Sequence, residues 1–221
     1  MIVTIDGPAG AGKSSAAKGL AQRLGIAYLD TGAMYRAVTL AGLRANLDLT
    51  SQDALAKLIE DLLLEMPPGQ VLLNHEDVTQ AIRRPEVTTA SAAIANSPVV
   101  RRRLVAWQRD IAKGQSIVCE GRDQGTIVFP DAACKFFLVA DAEERARRRQ
   151  KDLMSRGVVV SFETVLEEQE ARDRRDAARD IAPMVPAADA ILLDSTHLTL
   201  EQVIDRMEEE VRHRAPATQA V

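Results

Sequence analysis

The sequence is poor in the residues that build crosslinked or metal-centred proteins. It has two cysteines, Cys119 and Cys134. Both lie in apolar runs typical of buried strands, so we expect packed, reduced thiols and no disulfide framework. The three histidines, His75, His197 and His213, are scattered and offer no metal-ligand spacing.

Long hydrophobic runs are also missing. Hydrophobic residues make up 46% of the chain, as in ordinary globular proteins, but no apolar segment approaches the ~20 residues of a membrane-spanning helix. A first strand that begins at residue 2 leaves no room for a signal peptide. We therefore expect a cytoplasmic protein with no membrane partner.

The chain has no excess of positive charge. It carries 28 Lys and Arg against 32 Asp and Glu, a formal net charge of −4, which argues against nucleic acid as a partner. The arginines nevertheless cluster locally, and arginine suits the bidentate capture of phosphate. This distribution favours a small phosphorylated ligand, bound by a chain whose 221 residues predict one domain with at most a small insert.

The clearest motif is Gly7-Pro8-Ala9-Gly10-Ala11-Gly12-Lys13-Ser14, which fits the phosphate-loop pattern G-x-x-x-x-G-K-[ST]. An apolar β-branched run precedes it and a helical pattern follows it. Its glycines allow backbone N–H groups to surround an anion at the positive end of that helix. Lys13 is then predicted to reach the β- and γ-phosphates, and the Ser14 hydroxyl to ligate Mg²⁺.

The rest of the chain has a strand–helix rhythm. Apolar strands are predicted at 2–5, 26–29, 116–120, 135–139 and 190–194, which indicates an α/β protein of the P-loop NTPase fold: a five-stranded, mostly parallel sheet wrapped by helices. Residues 48–97 break the rhythm, with a hairpin predicted at 71–79, and are interpreted as a small insert. We expect one domain over 1–221, with a core at 1–47 and 98–214, a lid at about 145–160 and a frayed tail at 215–221.

Polar residues follow two of the predicted strands, where ligands of parallel sheets bind. Asp30, Thr31 and Arg36 come after the second strand, although Arg36 could also be a solvated helix charge. Glu120 ends the third strand and leads into a glycine-rich turn with Arg122 and Asp123. These two could pair in a structural turn, but the upstream phosphate loop favours a substrate or metal role.

Two later helices carry further arginines. The helix predicted at 142–156 has Arg145, Arg147, Arg148 and Arg149, which could close over a nucleotide or form a solvated basic face. In the next helix, Arg172, Asp176 and Arg179 share one face at i, i+4 and i+7. Taken alone, that spacing is explained better by an intrahelical ion-pair ladder than by a binding site.

In order and spacing, these motifs resemble the bacterial cytidylate kinases, which are nucleoside-monophosphate kinases. The resemblance spans almost the whole chain. It is carried by residues 5–14, 29–36, 77–79 with 82–83, 121–126, 172–179 with 182–183, and 187–190. The insert separates this family from adenylate and guanylate kinases, which share only the phosphate loop and the general fold. The absence of an N-K-x-D base-reading motif argues against a switch GTPase.

The resemblance implies a monomer that transfers a phosphoryl group from MgATP to CMP or dCMP. It implies catalytic roles for Lys13, Arg122 and Asp123, and a metal-binding role for Ser14 with Mg²⁺ as cofactor. The implied ATP-binding residues are Gly7, Pro8, Ala9, Gly10, Ala11, Gly12, Lys13, Ser14 and Ser15, with Arg148 from the lid and Arg145 or Arg149 as other lid candidates. The insert is then the NMP-binding part. The implied CMP-binding residues are Thr31, Tyr35, Arg36, Ser91, Arg101, Arg122, Asp123, Arg172, Asp176 and Arg179.

Within that set, the resemblance implies that Arg101 and Asp123 read cytosine. An aspartate can accept from the exocyclic 4-amino group while an arginine donates to O2 and N3, and the carbonyl of uracil would oppose Asp123. The sequence departs from the family at Glu120, where an aspartate is common. By its spacing from Pro98 the family's cytosine-contacting serine falls at Ala92, so the adjacent Ser91 is the candidate.

Three other functions remain open at this stage. A related P-loop kinase could use UMP or a small metabolite as acceptor, although Arg101 and Asp123 argue against it. A regulatory protein could use ATP as a switch and would need no arginine-lined acceptor site. A nucleic-acid-binding module conflicts with the acidic balance of charge.

Overall fold

The computed structural model describes residues 1–155 and 157–214. Within them the strands are β1 (Ile2–Asp6), β2 (Ala27–Asp30), β3 (Leu64–Glu65), β4 (Leu72–Leu73), β5 (Glu76–Asp77), β6 (Ile117–Glu120), β7 (Cys134–Val139) and β8 (Ile191–Asp194). The helices are α1 (Lys13–Leu24), α2 (Thr31–Arg44), α3 (Gln52–Glu60), α4 (Pro85–Ala95), α5 (Pro98–Ala112), α6 (Ala142–Ser155), α7 (Phe162–Ala177) and α8 (Leu200–Arg214). A 3₁₀ turn (Ala81–Arg83) and a π-helical turn (Gln124–Val128) complete the elements.

The chain divides into two compact units, residues 1–28 with 115–221, and residues 29–114. The main sheet has the strand order β2-β6-β1-β7-β8. The pairs β1–β6, β1–β7 and β7–β8 are parallel, and Ile2 lies opposite Ile117 in the register of the first pair. Five strands were predicted and all five are found, so the predicted α/β fold with a parallel sheet is confirmed.

The core of the first unit lies between the sheet and the helices α1 and α8. Ile5, Phe136 and Leu138 point from central strands into this core, where Leu20 of α1 and Met207 of α8 are fully buried. The apolar side chains at helical spacing in α1 therefore do what the sequence predicts and pack the helix against the strands. Their burial fixes the start of α1, and with it the end of the phosphate loop.

The second unit combines α2, α3, α4 and α5 with a three-stranded antiparallel sheet in the order β3-β4-β5. The hairpin predicted at 71–79 is thus part of a larger sheet, because Leu64 and Glu65 form a further strand that pairs with β4. Helix α2 begins at Thr31, directly after β2. The reason is local, since the Asp30 carboxylate accepts from the Ala33 amide at 2.8 Å and caps the helix.

Other differences from the sequence prediction are small. The predicted turn after Glu120 contains a π-helical turn, and α7 ends at Ala177, before Arg179, which the sequence had placed on a face of this helix. Arg156 and the predicted tail at 215–221 lie outside the described residues. The roles of insert and lid stay predictions. Across the described residues, no helix is both long and apolar enough to cross a membrane.

Candidate active site

The phosphate loop joins the central strand β1 to helix α1. Gly7, Gly10 and Gly12 have φ values of 137°, 78° and 93°, which side chains rarely adopt. A Cβ atom on Gly7 would also collide with the backbone carbonyl of Leu138. No side chain caps α1, whose N-cap is Gly12. The first turn of this helix is therefore left to bind an anion.

Lys13 is buried at the start of α1 and donates to the backbone oxygen of Pro8 at 2.6 Å. Burial lowers the pKa of its amine to about 7, and the positive charge of Arg122 acts in the same direction. The carboxylates of Glu120 and Asp6 oppose this shift but do not cancel it. A polyanion in the loop would supply the missing negative charge, so the site favours phosphate binding by Lys13.

Asp6, at the end of β1, holds the turn that follows β6. Its two carboxylate oxygens accept from the backbone amides of Gln124 at 2.9 Å and Gly125 at 2.8 Å. Burial raises the pKa of Asp6 to about 6, although these two amides act against the shift. The contacts fix the backbone directly after Asp123, whose side chain is itself buried.

Arg122, two residues of α7 and Arg179, which lies beyond the end of α7, form one charged cluster. The Asp176 carboxylate accepts from Nε of Arg122 at 2.9 Å and from Nη2 of Arg179, while Nε of Arg172 lies 4.0 Å away. Burial raises the pKa of Asp176, but the charges of the three arginines outweigh it and hold this pKa below its ordinary value. The cluster is therefore not the intrahelical ladder that the i, i+4, i+7 spacing suggests, since Arg179 lies outside the helix and Arg122 comes from another element.

Glu120 is buried at the end of β6, where Tyr28 donates to its carboxylate at 3.0 Å. The hydroxyl of Ser14 is exposed in the first turn of α1. No group of three or more His, Cys, Asp and Glu side chains within residues 1–155 and 157–214 is arranged to hold a metal ion.

The phosphate loop also contacts α6 and α7. The Asp173 carboxylate accepts from the Ala9 amide at 3.0 Å, and Nη1 of Arg145 donates to the Ala9 carbonyl at 2.8 Å. Arg145 and Asp173 also pair with each other. Ala9 was predicted to bind ATP as part of the loop, but its amide is already engaged by a protein carboxylate.

A cavity of about 190 Å³ lies beside the loop. It is lined in part by Ala11, Gly12, Ser15, Arg148, Ser195 and Leu198. Two nitrogens of Arg148 donate to Ser195: Nη1 to the hydroxyl at 3.1 Å and Nη2 to the backbone carbonyl at 2.6 Å. The third, Nε, donates to the Glu144 carboxylate at 3.0 Å. The predicted lid arginine therefore lies at the cavity, held by protein groups, whereas Arg149 pairs with Asp152 on its own helix.

In the second unit, Arg36 and Thr31 lie in the first two turns of α2. Nη2 of Arg36 donates to the Asp30 carboxylate at 3.1 Å, and Arg83 approaches the same carboxylate at 3.8 Å. The Nε atom of Arg36 is buried with no hydrogen-bond partner among the described residues. A buried unpartnered donor on a guanidinium suits an anionic ligand better than a solvated surface charge.

Arg101 of α5 is nearly fully buried in the same unit. Its guanidinium lies 5.7 Å from the centre of the Tyr35 ring, and Nη1 donates to the Ala95 carbonyl at 3.4 Å. The Ser91 hydroxyl donates to the Thr88 carbonyl on its own helix at 2.7 Å. Ser91 therefore keeps only its acceptor capacity for a ligand in this conformation.

The structure brings together, within the first unit, the phosphate loop, Lys13, the Asp6-supported turn and the Arg122–Asp176–Arg179 cluster. Within the second unit, it brings together Thr31, Tyr35, Arg36 and Arg101. A phosphate loop on a parallel sheet, with separate buried arginines, defines a P-loop kinase rather than a simple nucleotide-binding switch.

Comparisons with known proteins define the family. A family model described as cytidylate kinase matches residues 3–213. A cytidylate kinase of Caldanaerobacter subterraneus subsp. tengcongensis is 46% identical over 210 residues, covering 95% of this chain and 94% of that protein. One from Desulforamulus reducens is 48% identical, covering 92% and 93%. The chain belongs to the cytidylate kinase family, as the resemblance predicted, and is an enzyme that phosphorylates CMP and dCMP with ATP.

Similarity to solved structures supports the fold alone. An uncharacterized protein from Eubacterium ventriosum aligns with a TM-score of 0.53 at 15% identity, covering 97% of this chain and 99% of that one. At this identity the likeness carries no information about substrates.

Sequence reasoning missed several residues at the site. Ser195 donates to the Ala11 carbonyl of the loop at 3.2 Å, and its position just after β8 was a usable signal. The contacts of Arg145 and Asp173 with Ala9 left no such signal, because they join residues far apart in the chain.

Proposed function

We propose that the buried arginines, the phosphate loop and Asp123 carry out the ATP-dependent phosphorylation of CMP and dCMP that the family membership assigns to this chain. The observation that carries the proposal is the environment of Lys13. A buried lysine with its pKa lowered to about 7 and Arg122 as a neighbouring cation needs a strongly anionic ligand.

The donor nucleotide occupies the phosphate loop in this proposal. The loop binds the ATP phosphates through Gly10, Gly12, Lys13 and the exposed hydroxyls of Ser14 and Ser15. The remaining nucleotide extends toward the cavity lined by Ser15 and Arg148. The protein groups that hold Arg148 keep its guanidinium in place beside that cavity.

The acceptor phosphate is bound by arginines. In the first unit Arg122 and Arg179 are held by the Asp176 carboxylate, which orients both guanidinium groups. In the second unit Arg36 offers its buried Nε. The pairing of Arg122 and Arg179 with one carboxylate leaves a net positive charge, as binding of a phosphate requires.

The base is read by Arg101 and Asp123, with Ser91 as a further acceptor. Both charged side chains are buried, which strengthens a hydrogen bond to the correct base and makes an unmatched one costly. Asp123 accepts from the 4-amino group of cytosine, and Arg101 donates to O2 and N3. Thr31, Tyr35, Arg172 and Asp176 are assigned to the ribose and phosphate.

The residues present fit a magnesium ion carried by ATP. Mg²⁺ keeps several waters and binds through one or two protein groups plus substrate phosphates, and the exposed Ser14 at the start of α1 can supply one such group beside the phosphate loop. When bound, the ion neutralises charge on the β- and γ-phosphates.

The transfer needs no covalent enzyme intermediate. The attacking phosphate oxygen of CMP forms a bond to the γ-phosphorus as the bond to the β-γ bridging oxygen of ATP breaks, which gives CDP and ADP. The protein contributes position and charge neutralisation. Lys13 on the donor side and Arg122 on the acceptor side offset the repulsion of two polyanions, and water has to be excluded to prevent ATP hydrolysis.

An ATP-consumption assay with CMP, dCMP, UMP, AMP, GMP or no acceptor tests this proposal. Turnover with CMP and dCMP alone supports the assignment of the base to Arg101 and Asp123. Turnover with UMP or another acceptor overturns the base assignment and leaves the phosphate chemistry intact. We also propose a monomer, on the basis of the family resemblance alone, and a cytoplasmic location, as expected from the sequence. Sedimentation of the purified protein tests the first of these two properties.

A further inference from the structure

Two residues, Arg145 of α6 and Asp173 of α7, hold the backbone of the phosphate loop on both sides of Ala9. Asp173 accepts from the Ala9 N–H at 3.0 Å, and Arg145 donates to the Ala9 carbonyl at 2.8 Å. Both sides of this residue's backbone are therefore engaged by an ion pair. Gln169, one turn before Asp173, packs beside Gly10 and donates to the Arg145 carbonyl at 3.4 Å. We call Arg145, Gln169 and Asp173 the loop clasp.

We infer that Arg145 and Asp173 are positioning residues for phosphoryl transfer, which fix the two peptide groups on either side of Ala9 and make the shape of the phosphate loop depend on α6 and α7. The inference rests on the proposed function of the loop as the donor site. It also assigns Arg145 a role different from the ligand-binding one that the sequence suggested for the lid arginines.

The contacts of Arg145 favour positioning over ligand binding. Its guanidinium is buried, with Nε donating to the Ala140 carbonyl at 3.0 Å and Nη1 donating to both Ala9 and Asp173. These bonds hold the side chain to the protein. A surface arginine that closed over ATP would instead keep its donors exposed until the ligand arrived.

The charges of the clasp explain why two ionised residues are used. A lone carboxylate at a loop amide would repel the phosphates that the loop has to bind. Arg145 neutralises Asp173, so the clasp can hold the Ala9 amide without adding net negative charge to the donor site. The pair therefore acts as one unit, and loss of either member should also free the other and loosen the backbone at Ala9.

The close packing at Gly10 adds a steric constraint. A Cβ atom on Gly10 would lie 2.5 Å from the Gln169 amide nitrogen and 3.2 Å from the Arg145 carbonyl. The loop thus fits against α6 and α7 with no space to shift toward them. Because misplacement of a reacting group by about 1 Å can cost about 100-fold in rate, a loosened Ala9 peptide should slow transfer.

Steady-state kinetics of Arg145→Ala, Asp173→Ala and the double variant test the inference. We expect each single change to lower kcat at least about tenfold and to raise KM for ATP, with KM for CMP unchanged. The double variant should lose about as much as the worse single variant, because each single change already breaks the ion pair that orients both contacts to Ala9. Asp173→Asn keeps an acceptor for the Ala9 amide but loses the ion pair, so its loss should be smaller.

The matched control is Glu170→Ala. Glu170 lies on the same helix and makes an exposed ion pair with Arg174 at 3.5 Å, which contributes little. It should leave kcat and both KM values unchanged. All rates are divided by the folded fraction of each variant, measured by circular dichroism. If the alanine variants do not fold, the kinetics of Asp173→Asn test the inference in their place.

Wild-type kcat and KM for ATP in either clasp variant would overturn the inference, as would losses that multiply in the double variant. So would a loss that disappears when rates are referred to folded protein. Titration calorimetry with ATP alone separates this result from the proposed function. If the wild type phosphorylated no CMP, the proposed function would fail, while weaker ATP binding by the clasp variants would still support the clasp.

Discussion

ATP binding should be linked to protonation of Lys13. In the free protein, burial and the charge of Arg122 lower the pKa of this amine to about 7 from its ordinary 10.5. Bound phosphates surround the amine with negative charge and return its pKa toward the ordinary value. Above about pH 7, ATP must therefore bind together with a proton, and its affinity falls as the pH rises.

The size of the effect follows from the two pKa values. At about pH 9 only about one free molecule in a hundred carries protonated Lys13, so Kd for ATP should be about 50-fold higher than at pH 7, about 2.4 kcal/mol. At about pH 8, binding should take up about 0.9 proton per ATP.

Titration calorimetry without an acceptor measures both quantities, with proton uptake obtained from buffers of different ionisation enthalpy. Lys13→Arg is the matched control, because a guanidinium stays charged over this pH range. Any pH dependence that remains in this variant comes from the titration of ATP and of the other protein groups. A wild-type Kd that stays constant from pH 7 to 9, with no proton uptake beyond that of Lys13→Arg, would refute the linkage.

Three further predictions concern the loop, the base and the supporting turn. Lys13→Ala should abolish phosphoryl transfer in the ATP-consumption assay, and near-normal activity would contradict the role of the phosphate loop. Asp123→Ala should damage turnover with CMP more than turnover with UMP, and an equal loss with both would show that Asp123 does not read the base. Because the folded-state pKa of Asp6 is raised to about 6 from 3.8, this group should stabilise the folded protein most below about pH 4 and lose about 2 kcal/mol of that stabilisation between about pH 4 and about pH 6. Urea unfolding of the wild type and Asp6→Asn at both pH values measures this, and a pH-independent difference between the two proteins would contradict it.

Local patterns in the sequence were enough to predict the elements of the sheet. Each strand is a short apolar run, and the phosphate loop is a contiguous motif with a helix directly after it. The i, i+4, i+7 spacing predicted Arg172, Asp176 and Arg179 on one helical face, but it could not show that α7 ends before Arg179 or that Arg122 joins the cluster. The contact of Arg122 with Asp176 spans 54 residues, so only the folded chain shows why the cluster is not a ladder.

The residues that support the site were harder to predict. Asp6 reads as the polar end of a strand, yet it accepts from two amides of a turn more than one hundred residues later. Leu64 and Glu65 form a strand of only two residues, too short for any periodicity to appear. Asp173 was noticed within the family motif but not given a role, because its partner is a backbone amide that has no residue-specific pattern.

The strand order also determines when each strand of the main sheet can pair with its partners during biosynthesis. The central strand β1 leaves the ribosome first, but its partners β6 and β7 start only at residues 117 and 134. At a synthesis rate of ~5–20 residues per second, roughly 6 to 20 s pass before β6 is available to pair with the apolar β1. The unit at 29–114 is contiguous and can complete its own contacts during this interval. A nascent chain would thus carry one folded unit and an unpaired β1 at the same time, and β1 would need protection from aggregation until β6 had been made.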